Sequence, residues 1–172
     1  EEEADRLVAI SGGILSQALS FLEDDSRMAR RDEALRMAET LRGSPLHVAL
    51  DMAQQALKGA EEAARKVRDE GAGIRELGKA LDLRTAQRLE KAEKAREEKE
   101  ARRRRDQALR DYLQGLASWF RDLVVFSQLV EERKEEGAVV LENVDHAEAV
   151  HQASHHIYPE RAVEAVRACE RA

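Results

Sequence analysis

Apolar positions recur along the chain at intervals of three and four residues, the spacing that places side chains on one face of an α-helix. Residues 4–10 and 14–22 follow this spacing, and Ser11-Gly12-Gly13 lies between them, so two short helices are predicted. Asp24-Asp25-Ser26 predicts the start of a third helix that ends near residue 41. Its apolar positions are few, so we expect it to lie at the surface; they are Met28, Leu35 and Met37.

The longest regular pattern begins after Gly43-Ser44-Pro45, a helix stop followed by a helix start. From there apolar residues alternate at intervals of four and three: Leu46, Leu50, Ala53, Leu57, Ala60, Ala64 and Val67. This heptad spacing is typical of a helix that packs against a partner helix. Gly71-Ala72-Gly73 predicts its end, and residues 74–83 are expected to form a short helix or an irregular connector.

One long helix, or two nearly continuous ones, is predicted from Arg84 to about Glu136, where Gly137 ends the pattern. Its first half, 84–106, is strongly charged, and we expect residues 46–106 to form an extended antiparallel helical arm. Its second half has two apolar seams: Leu109, Leu113, Leu116, Phe120, Leu123 and Val130, and Tyr112, Trp119 and Phe126. So wide an apolar face predicts a central position in a bundle.

Two shorter helices are predicted near the C-terminus. Asn143 or Asp145 is expected to cap a helix that ends near Ile157, and Pro159 to begin the last helix. The residues of the last helix expected to face inward are Val163, Val166 and Cys169. Together with 9 glycines and 2 prolines, too few for the turns of an all-β fold, these elements predict an all-α helical bundle.

Charge and cysteine content exclude several classes of protein. A net charge of −6 argues against a surface devoted to nucleic acid, and no stretch approaches the ~20 apolar residues of a membrane span. The chain opens Glu1-Glu2-Glu3 without a signal peptide or an initiator Met, which suggests a fragment. The single Cys169 excludes an internal disulfide and fits a reducing compartment, so we expect a cytoplasmic location.

Three motifs carry candidate chemistry, and for each the structural interpretation is favoured. Residues 73–80 imitate a phosphate-binding loop, but Ala80 lacks the hydroxyl that holds Mg²⁺ and no buried strand precedes the loop. Glu148 and His151 have the spacing of di-iron bundles and His155 could join His151 on zinc, yet a second copy or further ligands are missing, so a surface histidine cluster is favoured. Residues 102–105 are four arginines among acidic residues, which favours a solvated helix. No cofactor, metal or catalytic residue is therefore predicted.

One side of the predicted central helix is poor in charge in a chain that is 37% charged. Depleted charge around a single arginine is typical of a surface that contacts a partner. The candidate subunit-interface residues on this side are Gln114, Ala117, Ser118, Arg121, Val125 and Gln128. The alternative, a side covered by another helix of the same bundle, is equally open.

Two stretches resemble the C-terminal part of the delta-prime subunits of bacterial DNA polymerase III, a clamp-loader family. Residues 10–22, Ile-Ser-Gly-Gly-Ile-Leu-Ser-Gln-Ala-Leu-Ser-Phe-Leu, resemble the G-S-x-x-x-A-L-x-L segment of the family's lid domain. Trp119-Phe-Arg121-Asp122-Leu123, followed by Asn143-Val-Asp145, is similar to the W-x-R-D-L helix and N-x-D cap of its C-terminal domain. Ser16 stands where ATP-hydrolysing subunits of the family carry a phosphate-sensing arginine, which agrees with the non-hydrolysing delta-prime type.

The resemblance implies that residues 1–22 are the tail of a lid domain and that 23–172 are a helical collar domain, with 71–106 as a lengthened insertion. Its implied function is assembly of the DNA polymerase III clamp loader, with no enzymatic activity in this fragment and no ATP binding. Its implied partners are other clamp-loader subunits of the gamma/tau and delta types, with no direct contact to nucleic acid, membrane or a small-molecule substrate. Two alternatives remain: a free-standing coiled-coil adaptor, and a metal-dependent bundle enzyme that depends on Glu148 and His151.

Overall fold

The computed structural model describes residues 2–41, 43–77, 83–132 and 141–172, which form seven α-helices and one short 3-10 helix and contain no strand. The α-helices are α1 Glu2–Ile10, α2 Leu15–Glu23, α3 Asp25–Leu41, α4 Leu46–Leu77, α5 Leu83–Glu132, α6 Ala147–Ser154 and α7 Pro159–Arg171. The 3-10 helix, Val144–His146, precedes α6. The predicted all-α helical bundle is confirmed. Within the described ranges, no helix combines the length and the apolar character needed to cross a bilayer.

Glycine marks two helix ends as predicted and fails to mark a third. Gly12 and Gly13 have φ of 58° and 76° between α1 and α2, and Gly43 has φ of 73° after α3. The predicted end of α4 at Gly71-Ala72-Gly73 is wrong, because the helix continues to Leu77. A glycine inside a helix costs about 1 kcal/mol but removes no backbone hydrogen bond, so the helix can pass through it. The predicted end of α5 at residues 136–137 and part of the predicted connector, 78–82, lie outside the described residues.

The chain divides into two compact units. Unit 1 comprises Glu1–Ala49 and Asp111–Ala172, and unit 2 comprises Leu50–Arg110. Residues 1–22 therefore belong to the same compact unit as α3. The boundary predicted after residue 22 and the extended arm over 46–106 stay predictions.

The apolar core of unit 1 is built from α3, the second half of α5, α6 and α7. Its buried members are Leu35, Ala38, Trp119, Leu123, Val150, Ala153 and Ala162, and partly buried residues such as Phe120 and Ile157 pack around them. The predicted central position of the second half of α5 is confirmed by Tyr112, Trp119 and Leu123, which are 4%, 1% and 2% exposed.

The surface position predicted for α3 is wrong. Ala34 and Leu35 are fully buried, and Arg31 is only 5% exposed. Hydrophobic periodicity missed the burial of this helix because small residues and a paired arginine, rather than large apolar side chains, make up much of its buried face.

Helices α3 and α5 approach each other closely at Gly115. A Cβ atom built on Gly115 would lie 2.7 Å from the Cβ of Ala34, a distance that requires one helix to shift. Gly115 has no positive φ, so its requirement is for space rather than for backbone freedom. Because Gly115 has no side chain, the backbone of α5 at this position can approach the side chain of Ala34 on α3.

Among the side chains of unit 2 that the structure describes, the buried apolar residues are all alanines: Ala60, Ala64, Ala101 and Ala108. Glu61 Oε1 lies 2.7 Å from Nε of Arg105. The predicted heptad seam of α4 is buried only at its C-terminal part, since Leu50 and Leu57 remain 56% and 45% exposed.

We expect Gly115→Ala to destabilise unit 1, although the same substitution in an unconstrained helix gains about 1 kcal/mol. Overpacking of a close contact costs about 1–3 kcal/mol, which corresponds to a melting temperature lowered by several degrees. Thermal unfolding followed by circular dichroism measures this.

The matched control is the double variant Gly115→Ala with Ala34→Gly, which removes the atom that the new methyl group would meet. The double variant should be more stable than the sum of the two single changes predicts. If the change in melting temperature of the double variant equals the sum of the changes of the two single variants, the contact between positions 34 and 115 does not limit how closely α3 and α5 pack.

We also expect amide hydrogen exchange to be faster at residues 60–64 and 101–105 than at 119–123. A buried alanine removes far less apolar area from water than Trp or Leu, at ~25 cal/mol per Å², so local opening of unit 2 costs less free energy. Exchange measured by mass spectrometry tests the difference. Equal protection in the two regions would contradict it.

Candidate functional site

The segment 141–145 is anchored to α5 by the fully buried carboxylate of Asp122. Asp122 accepts hydrogen bonds from the backbone N–H groups of Glu142 and Asn143, at 3.2 and 2.8 Å. It also accepts one from Nδ2 of Asn143, at 2.9 Å. Three donors compensate much of the desolvation of the carboxylate, and they fix the start of the 3-10 helix beside α5.

Arg31 of α3 joins the same segment from the opposite side. Its guanidinium donates to Oδ1 of Asp145 and to Oδ1 of Asn143, both at 2.8 Å. Arg6 of α1 donates to Oδ2 of Asp145 at 3.0 Å. The predicted helix caps are therefore wrong as side-chain caps: Asn143 precedes the 3-10 helix but makes no capping bond, and both side chains are used in this network.

Asp111 forms a second buried cluster at the boundary of α3 and α5 within unit 1. Its side chain is 3% exposed and accepts from Arg27 and Arg30, with nitrogen–oxygen distances of 2.9 and 2.8 Å. On the next residue, the hydroxyl of Tyr112 donates to Glu33 at 2.6 Å. These pairs bind the polar side of α3 to α5, and breaking one partner of such a buried pair costs about 3–5 kcal/mol.

Sequence reasoning missed these two clusters, although one signal was present. Arg27, Arg30 and Arg31 have the i, i+3, i+4 spacing that places three side chains on one helix face. A charged stripe of this kind is usually solvated, so the spacing alone does not indicate burial. Nothing in the local sequence shows that Asp111 and Asp122 lie opposite it.

Burial and charge shift two acidic groups in opposite directions. Burial would raise the pKa of Asp145, but hydrogen bonds and charge from Arg31, with help from Arg6, hold it below its ordinary value. Burial raises the pKa of Glu142, with Asp122 adding to the shift and Arg121 opposing it. Burial likewise raises the pKa of the Cys169 thiol, the opposite of the shift that activates a cysteine as a nucleophile.

A cavity of about 20 Å³ lies beside these clusters, lined by Arg27, Arg31, Asp111, Ser118 and Glu142 among others. A water molecule needs roughly this much space, whereas pockets for small-molecule ligands are typically hundreds of Å³. The cavity suits a water molecule that bridges charged groups, and it is too small for a ligand of ordinary size.

The six candidate interface residues lie on one side of α5, and three of them have contacts within unit 1. Nε2 of Gln114 donates to Gln17 of α2 at 2.8 Å, and the hydroxyl of Ser118 donates to the carbonyl of Gly115 at 2.9 Å. Arg121 pairs with Asp122 at 2.8 Å and approaches Glu142 at 3.3 Å, while 42% of its side chain stays exposed.

The remaining candidates are less engaged. Ala117 and Val125 are partly buried, and Gln128 is exposed. Gln114 is exposed as well, despite its contact with α2, so the side is open at both ends and partly buried between them. Its role as a subunit interface stays a prediction.

The other sequence motifs are dispersed. The side chains of residues 73–77 are not described and residues 78–80 lie outside the described ranges, while Ser16 is exposed. Arg103 and Arg104 contact Glu100, at 3.8 and 3.3 Å, and both arginines are largely exposed. Glu148 accepts a hydrogen bond from Gln152 at 3.3 Å and is exposed.

Comparison of the chain with protein-family models, with curated proteins and with solved structures found no match.

We expect Asp145→Asn to lower stability by about 1–3 kcal/mol at pH 7, because it removes the charged acceptor of Arg31. A lowered folded-state pKa stabilises the fold above the ordinary value of 3.8, and this contribution is lost as the pH falls through the folded-state value. The difference in melting temperature between wild type and variant should therefore shrink below pH 3.8.

The matched control is Asp51→Asn, which changes an exposed carboxylate of α4. This control should leave the melting temperature nearly unchanged at both pH values. A wild-type-to-variant difference for Asp145→Asn that stays constant down to pH 2 would refute the role assigned to the Arg31–Asp145 pair.

Proposed function

We propose that this chain is a collar module of a bacterial DNA polymerase III clamp loader, of the delta-prime type. The proposal rests on the sequence resemblance together with one contact. The two stretches that resemble the C-terminal domain of the family, around Asp122 and around Asn143, are 21 residues apart in sequence and bond directly, with the Asn143 N–H 2.8 Å from Asp122 Oδ2. The two stretches that resemble motifs of the same family domain are thus in direct contact.

The work of such a module is assembly. The Asp122–Asn143, Arg31–Asp145 and Arg6–Asp145 contacts hold together α1, α3, the 3-10 helix and the part of α5 that belongs to unit 1. A body that keeps its shape presents an outer surface at low entropic cost, which favours stable association. Other clamp-loader subunits, of the gamma/tau and delta types, are the proposed partners, and the cytoplasm is the proposed location.

The exposed part of the candidate interface is the surface we assign to the neighbouring subunit. Gln128 is exposed and Arg121 keeps 42% of its side chain accessible, beside the partly buried Ala117 and Val125. Arginine among uncharged side chains is enriched at binding hot spots. No ATP hydrolysis is proposed for this chain, since Ser16 carries no charge with which to contact a phosphate.

A second candidate function is a free-standing coiled-coil adaptor, and one observation favours it. The N-terminal part of the α4 heptad seam is exposed, with Leu50 56% and Leu57 45% accessible. Exposed leucines at heptad spacing are typical of a helix that awaits a partner helix. A stable parallel homodimer in analytical ultracentrifugation would favour this function over the collar.

We expect the double variant Ala117→Glu with Val125→Glu to keep its helicity and melting temperature in isolation and to fail in reconstitution with clamp-loader subunits. Two added carboxylates at a contact surface cannot be desolvated without partners, so association is lost. Circular dichroism measures the first property and size-exclusion chromatography of the mixed subunits measures the second.

The matched control adds the same charge elsewhere: Ala168→Glu on α7 and Gln152→Glu on α6, both at exposed positions. This control should assemble normally. A melting temperature lowered by ten degrees or more in the Ala117→Glu, Val125→Glu variant, on the order of the shift from charges buried in a core, would instead place this side inside the fold. Normal assembly of that variant would reject the interface.

A further inference from the structure

Two histidines at the C-terminal end of α6 direct ring nitrogens at each other. His151 lies in the last turn of α6, and His155 follows as its C-cap residue with helical φ and ψ of −69° and −10°. The i, i+4 spacing therefore holds, and the two Nε2 atoms are 3.3 Å apart. Both residues are exposed, so solvent ions can reach them.

The separation of these nitrogens matches a known coordination geometry. Zinc binds imidazole nitrogen at 2.0–2.1 Å in tetrahedral sites, which places two nitrogen ligands roughly 3.4 Å apart. The observed separation of 3.3 Å is therefore close to that of two nitrogen ligands on one tetrahedral ion. Square-planar coordination would need a shorter separation, roughly 2.9 Å, so this pair suits a tetrahedral ion better.

Two further features favour a cation here. The ring of Phe126 packs against that of His151, with centroids 5.3 Å apart, which restricts the orientation of the imidazole. The carbonyl groups at a helix C-terminus carry partial negative charge, and α6 ends at Ser154, directly before His155. This partial negative charge favours a bound cation near His155.

We propose that His151 and His155 form a two-histidine chelate for a divalent transition-metal ion of the zinc class. When the ion is bound, each ring ligates through Nε2 and carries its proton on Nδ1. The two remaining tetrahedral positions are open to water. This site is independent of the proposed collar function.

A second cluster of ligand atoms provides the rival location. Asp32, Asp145 and His146 offer three atoms within 4.8 Å of one another. Asp145 is already bound by Arg31 and Arg6, and two guanidinium groups repel a divalent cation. The geometry therefore points to the histidine pair.

The experiment titrates Zn²⁺ into the full chain and follows it by calorimetry and by NMR of the histidine side chains. We expect one ion per chain and a joint shift of the His151 and His155 ring signals. His155→Ala should weaken binding at least tenfold, while His156→Ala and His146→Ala should leave it unchanged. His155→Gln, which keeps a polar side chain at this exposed position, guards against a folding defect and should also lose binding.

Three results would overturn the proposal. Retained binding in His155→Ala would show that the pair is not the site. Loss in His146→Ala alone would assign the ion to the rival cluster. A stoichiometry of one ion to two chains would show that the ligands come from different molecules.

Discussion

The arrangement of unit 1 depends on Asp122, a carboxylate with no exposed surface that lies beside the apolar face of α5. Trp119 and Leu123 on the same helix belong to the core, so the charge lies at the edge of the most apolar region of the unit. Burying a carboxylate is favourable only when donors replace its water shell, and the backbone of residues 142–143 supplies them. Because α6 begins four residues after Asn143, this contact also fixes where Val150 and Ala153 enter the core.

The arginines of α3 impose a further constraint. Asp111 is satisfied by Arg27 and Arg30 together, and Arg31 reaches Asp145 and Asn143. A slip of α3 by one residue would rotate these guanidinium groups away and leave a buried carboxylate unpaired. Ion pairs of this kind contribute little net stability compared with apolar packing, but every misaligned arrangement costs several kcal/mol. The contact at Gly115 acts in the same sense, since only one alignment places Ala34 opposite the missing side chain.

Most of the secondary structure followed from local sequence, and most of the polar core did not. Periodicity and glycine positions located α1, α2, α7 and the central part of α5 because helix formation depends on residues within one or two turns. The burial of α3 was missed because it depends on partners about 80 residues away: Arg30 of α3 bonds Asp111 of α5. The end of α4 predicted at Gly71-Ala72-Gly73 was wrong for a different reason: glycine lowers helix propensity but does not by itself end a helix.

The candidate interface was predicted because that side of α5 has few charged residues. For two of its uncharged residues, the structure shows another reason. Gln114 faces Gln17 of α2, and Ser118 lies beside Asn143, so these uncharged side chains suit contacts inside unit 1. Periodicity assigns a residue to a side of a helix, but it cannot say how much of that side a preceding helix covers. The interface role of all six residues therefore stays a prediction.

Unit 1 is discontinuous in sequence, because residues 50–110 interrupt it. Its core cannot form until the ribosome has synthesised residues 50–110 and the segment that follows. Arg27 and Arg30 of α3 likewise have no Asp111 to pair with until that residue has been synthesised. The entropic cost of closing a loop rises only slowly with its length, so the long inserted segment lowers the equilibrium stability of unit 1 only slightly. Its effect is on rate: contacts between distant residues form late and slow folding. If the two helical segments of unit 2 pair with each other first, the ends of residues 50–110 come closer together. Early folding of unit 2 would then increase the rate at which residues 1–49 and 111–172 associate.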